Sequence, residues 1–138
     1  MAISAAVDAS LRILRVAQKL GVKRVVLTGS IASMMASMKT GTFGPSDWTN
    51  IEAPDVNTQA KSKTLTEKAT SDFINGQEGD APMELTVMAP GVVFGPPLGS
   101  NISGQSLSLM DQIIRGKVPM VSNGAFPMVD VRDVSKLH

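Results

Sequence analysis

Neither cysteine nor tyrosine occurs among the 138 residues, and the chain has one histidine, His138, and one tryptophan, Trp48. Without cysteine there is no disulfide staple and no thiolate zinc site, and a lone histidine leaves little to hold a transition metal. No metal site is therefore expected, and a reducing, cytoplasmic setting is. A charge excess of one sign is missing as well. The 13 basic and 12 acidic residues leave a formal net charge of +1, so no long-range field steers the chain to nucleic acid or an anionic membrane. No apolar run reaches the roughly 18 residues that a spanning helix needs. The N-terminal stretch mixes Asp8, Arg12 and Arg15 into its apolar residues, which speaks against a signal peptide. No membrane or nucleic-acid partner is expected.

What is present alternates between two periodicities. Val7, Leu11, Leu14, Ala17 and Leu20 recur at steps of three and four, opposite Asp8, Arg12, Arg15 and Lys19, which predicts a one-sided helix over about 4–20 closed by Gly21. "KRVVLTGS" then reads as a strand buried on both faces, with Thr-Gly-Ser as its exit turn. From Ile31 to Asp55 the pattern is loose and punctuated by Gly41, Gly44, Pro45 and Pro54, so this stretch is expected to be a surface loop carrying Trp48. A second helix is predicted over about 58–74, ending at Asn75-Gly76. Leu85 to Ala89 reads as a strand followed by a Pro-Gly turn and a proline-rich stop. Gln105 to Ile114 reads as a third helix, with Leu107, Met110, Ile113 and Ile114 on one side. The last residues give a short extended piece and the start of another helix.

Strands that alternate with helices argue for an α/β domain with a parallel sheet. Only two convincing strands and a short one are visible, fewer than such sheets normally hold, so the chain reads as part of one domain. The expected layout is sheet and helices over 1–100 and the start of a substrate-side region over 101–138. In open parallel sheets ligands bind beyond the carboxyl ends of the strands, which here are Thr28 to Ser33 and Pro90 to Pro96. The helix that carries Lys61 and Lys63 lies between those strands in sequence, so its first turn can overhang the same region.

Four ordered segments, "GVKRVVLTGSIAS", "QAKSKTLTEKA", "ELTVMAPGVVFGP" and "PMVDVRDVSKLH", cover nearly the whole chain. Together they resemble the C-terminal part of an extended short-chain dehydrogenase/reductase, in the dihydroflavonol-4-reductase-like branch of the NAD-dependent epimerase/dehydratase superfamily. The resemblance implies a partial Rossmann-like sheet with flanking helices, from which the N-terminal βαβ half is absent. It implies NAD or NADP as cofactor and a small carbonyl compound as substrate. In that family a serine after the strand and a YxxxK pair form the catalytic set. The tyrosine gives its proton to the substrate oxygen. A phenol of ordinary pKa about 10 needs a nearby ammonium to favour its ionised form. The lysine supplies that charge and holds the nicotinamide ribose, while the serine hydroxyl orients the substrate oxygen.

Carried over by position, the serine matches Ser30, the lysine matches Lys63 and the tyrosine falls on Gln59. Ser33 is a second candidate for substrate contact, and Pro90, Gly91, Val92 and Val93 match the backbone that lines the nicotinamide. An amide donates a hydrogen bond but has no proton to lose in this pH range, and a missing acid is worth roughly 10²- to 10⁴-fold in rate. The family's GxxGxxG pyrophosphate turn is also not found, and Gly41 and Gly44, followed by Pro45, do not replace it. The chain by itself is therefore expected to bind cofactor weakly and to be inactive or nearly so. A non-enzymatic remnant or interaction module is the other reading, because the helices over 4–20 and 58–74 match those that pack family dimers, which would make a homodimer. Lys61, Glu67 and Lys68 are expected on the solvated surface, Met34, Met35 and Met38 in packing, and the charges of "VDVRD" in pairs with one another.

Overall fold

A computed structural model describes residues 2–37, 40–79, 82–100, 104–119, 125 and 127–138. The order of elements is α1 (Ala2–Lys19), β1 (Arg24–Thr28), α2 (Ala32–Met35), α3 (Thr58–Asn75), β2 (Glu84–Met88), β3 (Val92–Phe94), α4 (Gln105–Ile114), β4 (Met128–Asp130) and α5 (Val131–Leu137). The chain divides into two compact units, Met1–Ala89 and Pro90–His138.

In the first unit β1 and β2 run parallel, with Val26 opposite Thr86. Parallel neighbours need a crossover, and α3 supplies it. α1 ends as its sequence predicts. Gly21 takes φ +69°, and the Val22 amide reaches back to the Ala17 carbonyl at 3.0 Å, which satisfies carbonyls the helix leaves open. α3 begins on Asn57, whose side chain accepts from the Ala60 amide at 2.9 Å. α3 packs against α1, α2 and β2. Its buried face carries small residues, Ala60 and Thr64, which let the neighbouring elements approach closely.

Hydroxyls share this core with hydrocarbon. Leu14, Val56, Ala60 and Met83 are buried, and so are Ser33, Thr49, Thr64 and Thr70. Buried hydroxyls are tolerated only when bonded, and each of these is. Thr64 donates to the Ala60 carbonyl at 2.8 Å and Thr70 to the Glu67 carbonyl at 2.9 Å, both within α3. Thr49 does more. Its hydroxyl donates to the Ala32 carbonyl at 2.7 Å and accepts from the Ala36 amide at 2.9 Å, while its own amide donates to the Ser33 carbonyl at 2.8 Å. One residue thus ties the 40–56 segment to both ends of α2.

Several expectations change. The strand over Arg24–Thr28 is present but half-buried along Val25, Val26 and Leu27, because among the described residues β2 is its one sheet neighbour. The predicted loop after it contains the short helix α2. Lys68, expected in solvent, lies over the Trp48 ring with its ammonium 5.1 Å from the centroid, so Trp48 anchors its loop through a cation–π contact. Met34 and Met35 are half-buried on α2, and Met38 lies outside the described residues.

In the second unit, β3 is a strand not expected from the sequence, lying between the Pro-Gly turn and the proline-rich stop. It pairs in parallel with β4, Val93 opposite Val129, a contact between segments far apart in sequence. α4 matches its predicted bounds. The charges of "VDVRD" do pair. Asp130 caps α5 by accepting from the Arg132 amide at 2.8 Å, and also meets the Arg132 guanidinium at 2.9 and 2.6 Å. The bonds from the Arg132 guanidinium, then that from its amide, hold the Asp130 carboxyl well below the usual range, at about 2.

Two outcomes follow from these contacts. Thr49→Val keeps the shape but leaves the Ala32 carbonyl and the Ala36 amide without their partner, so urea unfolding should show a loss of about 1–3 kcal/mol with an unchanged m-value. Because the Asp130 carboxyl is depressed in the fold, its contribution is complete above the ordinary carboxylate range and is lost as pH falls from about 4 towards about 2. Carbon NMR of the Asp130 carboxyl should show that low midpoint, and Arg132→Ala should return it towards 3.8, the ordinary value.

Candidate functional site

The exit of β1 is tightly packed. The Gly29 amide donates to the Met88 carbonyl at 2.7 Å, joining the ends of β1 and β2. A Cβ on Gly29 would stand 2.9 Å from Val87 Cγ1 and 3.1 Å from a Glu67 carboxylate oxygen, so no larger residue fits without displacement. The chain turns sharply here. Ser30 accepts from the Ala32 amide at 3.2 Å through its hydroxyl oxygen, and its carbonyl accepts from the Ser33 amide at 2.9 Å. A hydroxyl that accepts in this way still has its proton to donate.

α3 faces this turn with a stripe of residues four apart, Gln59, Lys63 and Glu67. Lys63 donates from its amine to the Thr28 carbonyl at 3.3 Å, two residues before Ser30. The structure therefore brings Lys63 to the turn that bears Ser30. Gln59 sits one helical turn earlier on the same side of α3 and is exposed. Ser33 has no exposed surface, and its hydroxyl lies 2.8 Å from the Ser30 carbonyl and 2.6 Å from the Glu67 carboxylate. Its geometry offers an internal contact where the sequence suggested one with substrate. Glu67, expected in solvent, is a half-buried part of this corner. A charged residue on an amphipathic helix reads as surface, and only the spacing of four from Lys63 hinted otherwise.

Pro90, Gly91, Val92 and Val93 lie in the second unit. There they are less a turn than the entry to β3. The Val92 amide donates to the Pro127 carbonyl at 2.9 Å, and a side chain on Gly91 would collide with that carbonyl. Among the described residues no cluster of His, Asp or Glu is placed to hold a metal ion, and no helix is long and apolar enough to cross a membrane.

The parallel strands with flanking helices match the Rossmann-like fold that the resemblance implies. The resemblance holds: homologues of the chain are Gre2-like NADPH-dependent reductases of the short-chain dehydrogenase/reductase superfamily. The chain is 31% identical over 134 residues to the NADPH-dependent methylglyoxal reductase GRE2 of Saccharomyces cerevisiae, matching 85% of this chain and 38% of that protein. Its fold is similar to the crystal structure of yeast methylglyoxal/isovaleraldehyde reductase Gre2 complexed with NADPH, with a TM-score of 0.76 and 26% identity. It is also similar to Gre2 from Candida albicans in complex with NADPH, with a TM-score of 0.68 and 28% identity. In both cases the match covers 95% of this chain and 43% of the other. The chain thus spans about two fifths of the length of the relatives it matches. No family model matches it.

The packing at Gly29 yields a direct test. Gly29→Ala should lower stability by about 1–3 kcal/mol through overpacking against Val87 and Glu67, read as a shift in the urea midpoint. A midpoint within error of the parent would show that the corner is looser than described.

Proposed function

We propose that the chain derives from the catalytic portion of an NADPH-dependent reductase of small carbonyl compounds and that, with glutamine at position 59, it no longer completes the reaction. The observation that carries this reading is the placement of the Lys63 amine on the β1 exit beside Ser30, with Gln59 one turn away on the same helix face. The relatives' NADPH complexes support the cofactor class.

The residues fit one end of such a cofactor. The Lys63 amine has donors beyond the one on Thr28 and suits a ribose hydroxyl, and the Ser30 proton suits a carbonyl oxygen. The bound dinucleotide would supply hydride. Ser30 would orient the accepting carbonyl and Gln59 could polarise it, but the amide has no proton to release to the oxygen. The pyrophosphate is less well served, since no GxxGxxG turn occurs within the 138 residues. Affinity for the whole cofactor is accordingly weak.

A second reading, a homodimeric interaction module, draws on α1. Ile13, Val16 and Leu20 are 66, 54 and 76% exposed and, with Ala17, form an apolar strip along the helix and its end. Such a strip is self-complementary across a two-fold axis.

Titration with NADPH, followed by nicotinamide fluorescence, should show no saturable binding in the micromolar range. Saturation there would overturn the weak-affinity reading. On a chain extended with the relatives' dinucleotide-binding half, Gln59→Tyr should gain carbonyl reduction by roughly 10²-fold or more, and no gain would remove Gln59 from the proton-donating position. For the second reading, sedimentation of the parent should report a dimer that Val16→Glu dissociates, and a monomeric parent would end it.

A further inference from the structure

We infer that Glu67 is a positioning residue: through Ser33 it fixes the turn that carries Ser30, in register with Lys63. The role of Ser30 in that statement rests on the reductase reading above. The geometry of the clamp does not.

α3 reaches the β1 exit at two points one helical turn apart. Lys63 donates to the Thr28 carbonyl at 3.3 Å, and the Glu67 carboxylate lies 2.6 Å from the Ser33 hydroxyl. Residues 28 and 33 bracket Ser30, so the two contacts hold the turn at both of its ends. Each works on a different side of the turn, and neither touches Ser30 itself. Ser33 is suited to the link because it has no exposed surface and also contacts the Ser30 carbonyl, at 2.8 Å through its hydroxyl and 2.9 Å through its amide. Any shift of Glu67 is passed through one buried hydroxyl to the backbone of Ser30. A hydrogen bond to a carboxylate is among the stronger ones, and in a half-buried setting water replaces it poorly.

Glu67 also fills the space over Gly29, where its carboxylate oxygen would be 3.1 Å from a side chain's first carbon. The turn is thereby closed from above by Glu67 and from the sheet side by Val87 and Met88. The spacing Gln59, Lys63, Glu67 then has a division of labour. The first position faces solvent, the second meets the strand's last carbonyl, and the third locks the turn.

Amide hydrogen exchange on the full chain tests this without cofactor. Glu67→Ala should speed exchange of the Ala32 and Ser33 amides about tenfold or more, while the ladder amides of β1 and β2 keep parent rates. Glu67→Gln retains an acceptor for Ser33 and should restore near-parent rates at both amides. Ser33→Ala removes the donor and should reproduce the Glu67→Ala pattern, and it carries the test if Glu67→Ala does not fold. Unchanged rates at Ala32 and Ser33, or an equal acceleration of every amide, would overturn the assignment. So would failure of Glu67→Gln to restore them. Failure of Gln59→Tyr to gain carbonyl reduction on the extended chain would count against the reductase reading alone, since none of these exchange rates depends on it.

Discussion

The first unit depends on a position where any side chain would crowd its neighbours. At Gly29 the end of β1 comes close enough to β2 for a 2.7 Å bond to Met88, and Glu67 of α3 descends over the same point. Sheet and helix meet there because glycine alone leaves the space. Everything that gives the chain a candidate site follows from that closeness. The turn is tight, the Ser30 hydroxyl accepts from the Ala32 amide, and Lys63 reaches the last carbonyl of the strand.

Much of this frame is legible in the sequence, for local reasons. α1, α3 and α4 advertise themselves by spacing and by their ends: Gly21 in a left-handed conformation, Asn57 as a cap, and Gly76 after the last turn. The strand β1 is legible from its β-branched run. Its burial is not, because burial depends on how many neighbours a strand has, and the described residues supply one. β3 escapes because three residues between Gly91 and Gly95 look like punctuation. Its pairing with β4 is a contact over more than thirty residues, and nothing in the local pattern announces it.

The candidate site divides the same way. Ser30, Gln59 and Lys63 are candidates from matching motif positions, and the Lys63 amine lies on the Thr28 carbonyl, two residues before Ser30. Glu67 and Lys68 are missed because a charge on an exposed helix is usually solvated. Here each instead meets a specific partner, Ser33 and Trp48, that lies more than fifteen residues away in sequence. Such partners become visible only when the fold brings α2 and the 40–56 segment against α3. The core teaches a related point. Among the described residues four buried side chains are hydroxyls, and hydropathy patterns score them as surface.

The contact between Trp48 and Lys68 has an optical side. With one indole in the whole chain, ultraviolet emission arises from a single place, on the segment that Thr49 fastens to α2 and the ammonium of Lys68 covers. Its colour and intensity therefore report whether that segment is seated on α3. The molecule carries a built-in lamp for one latch.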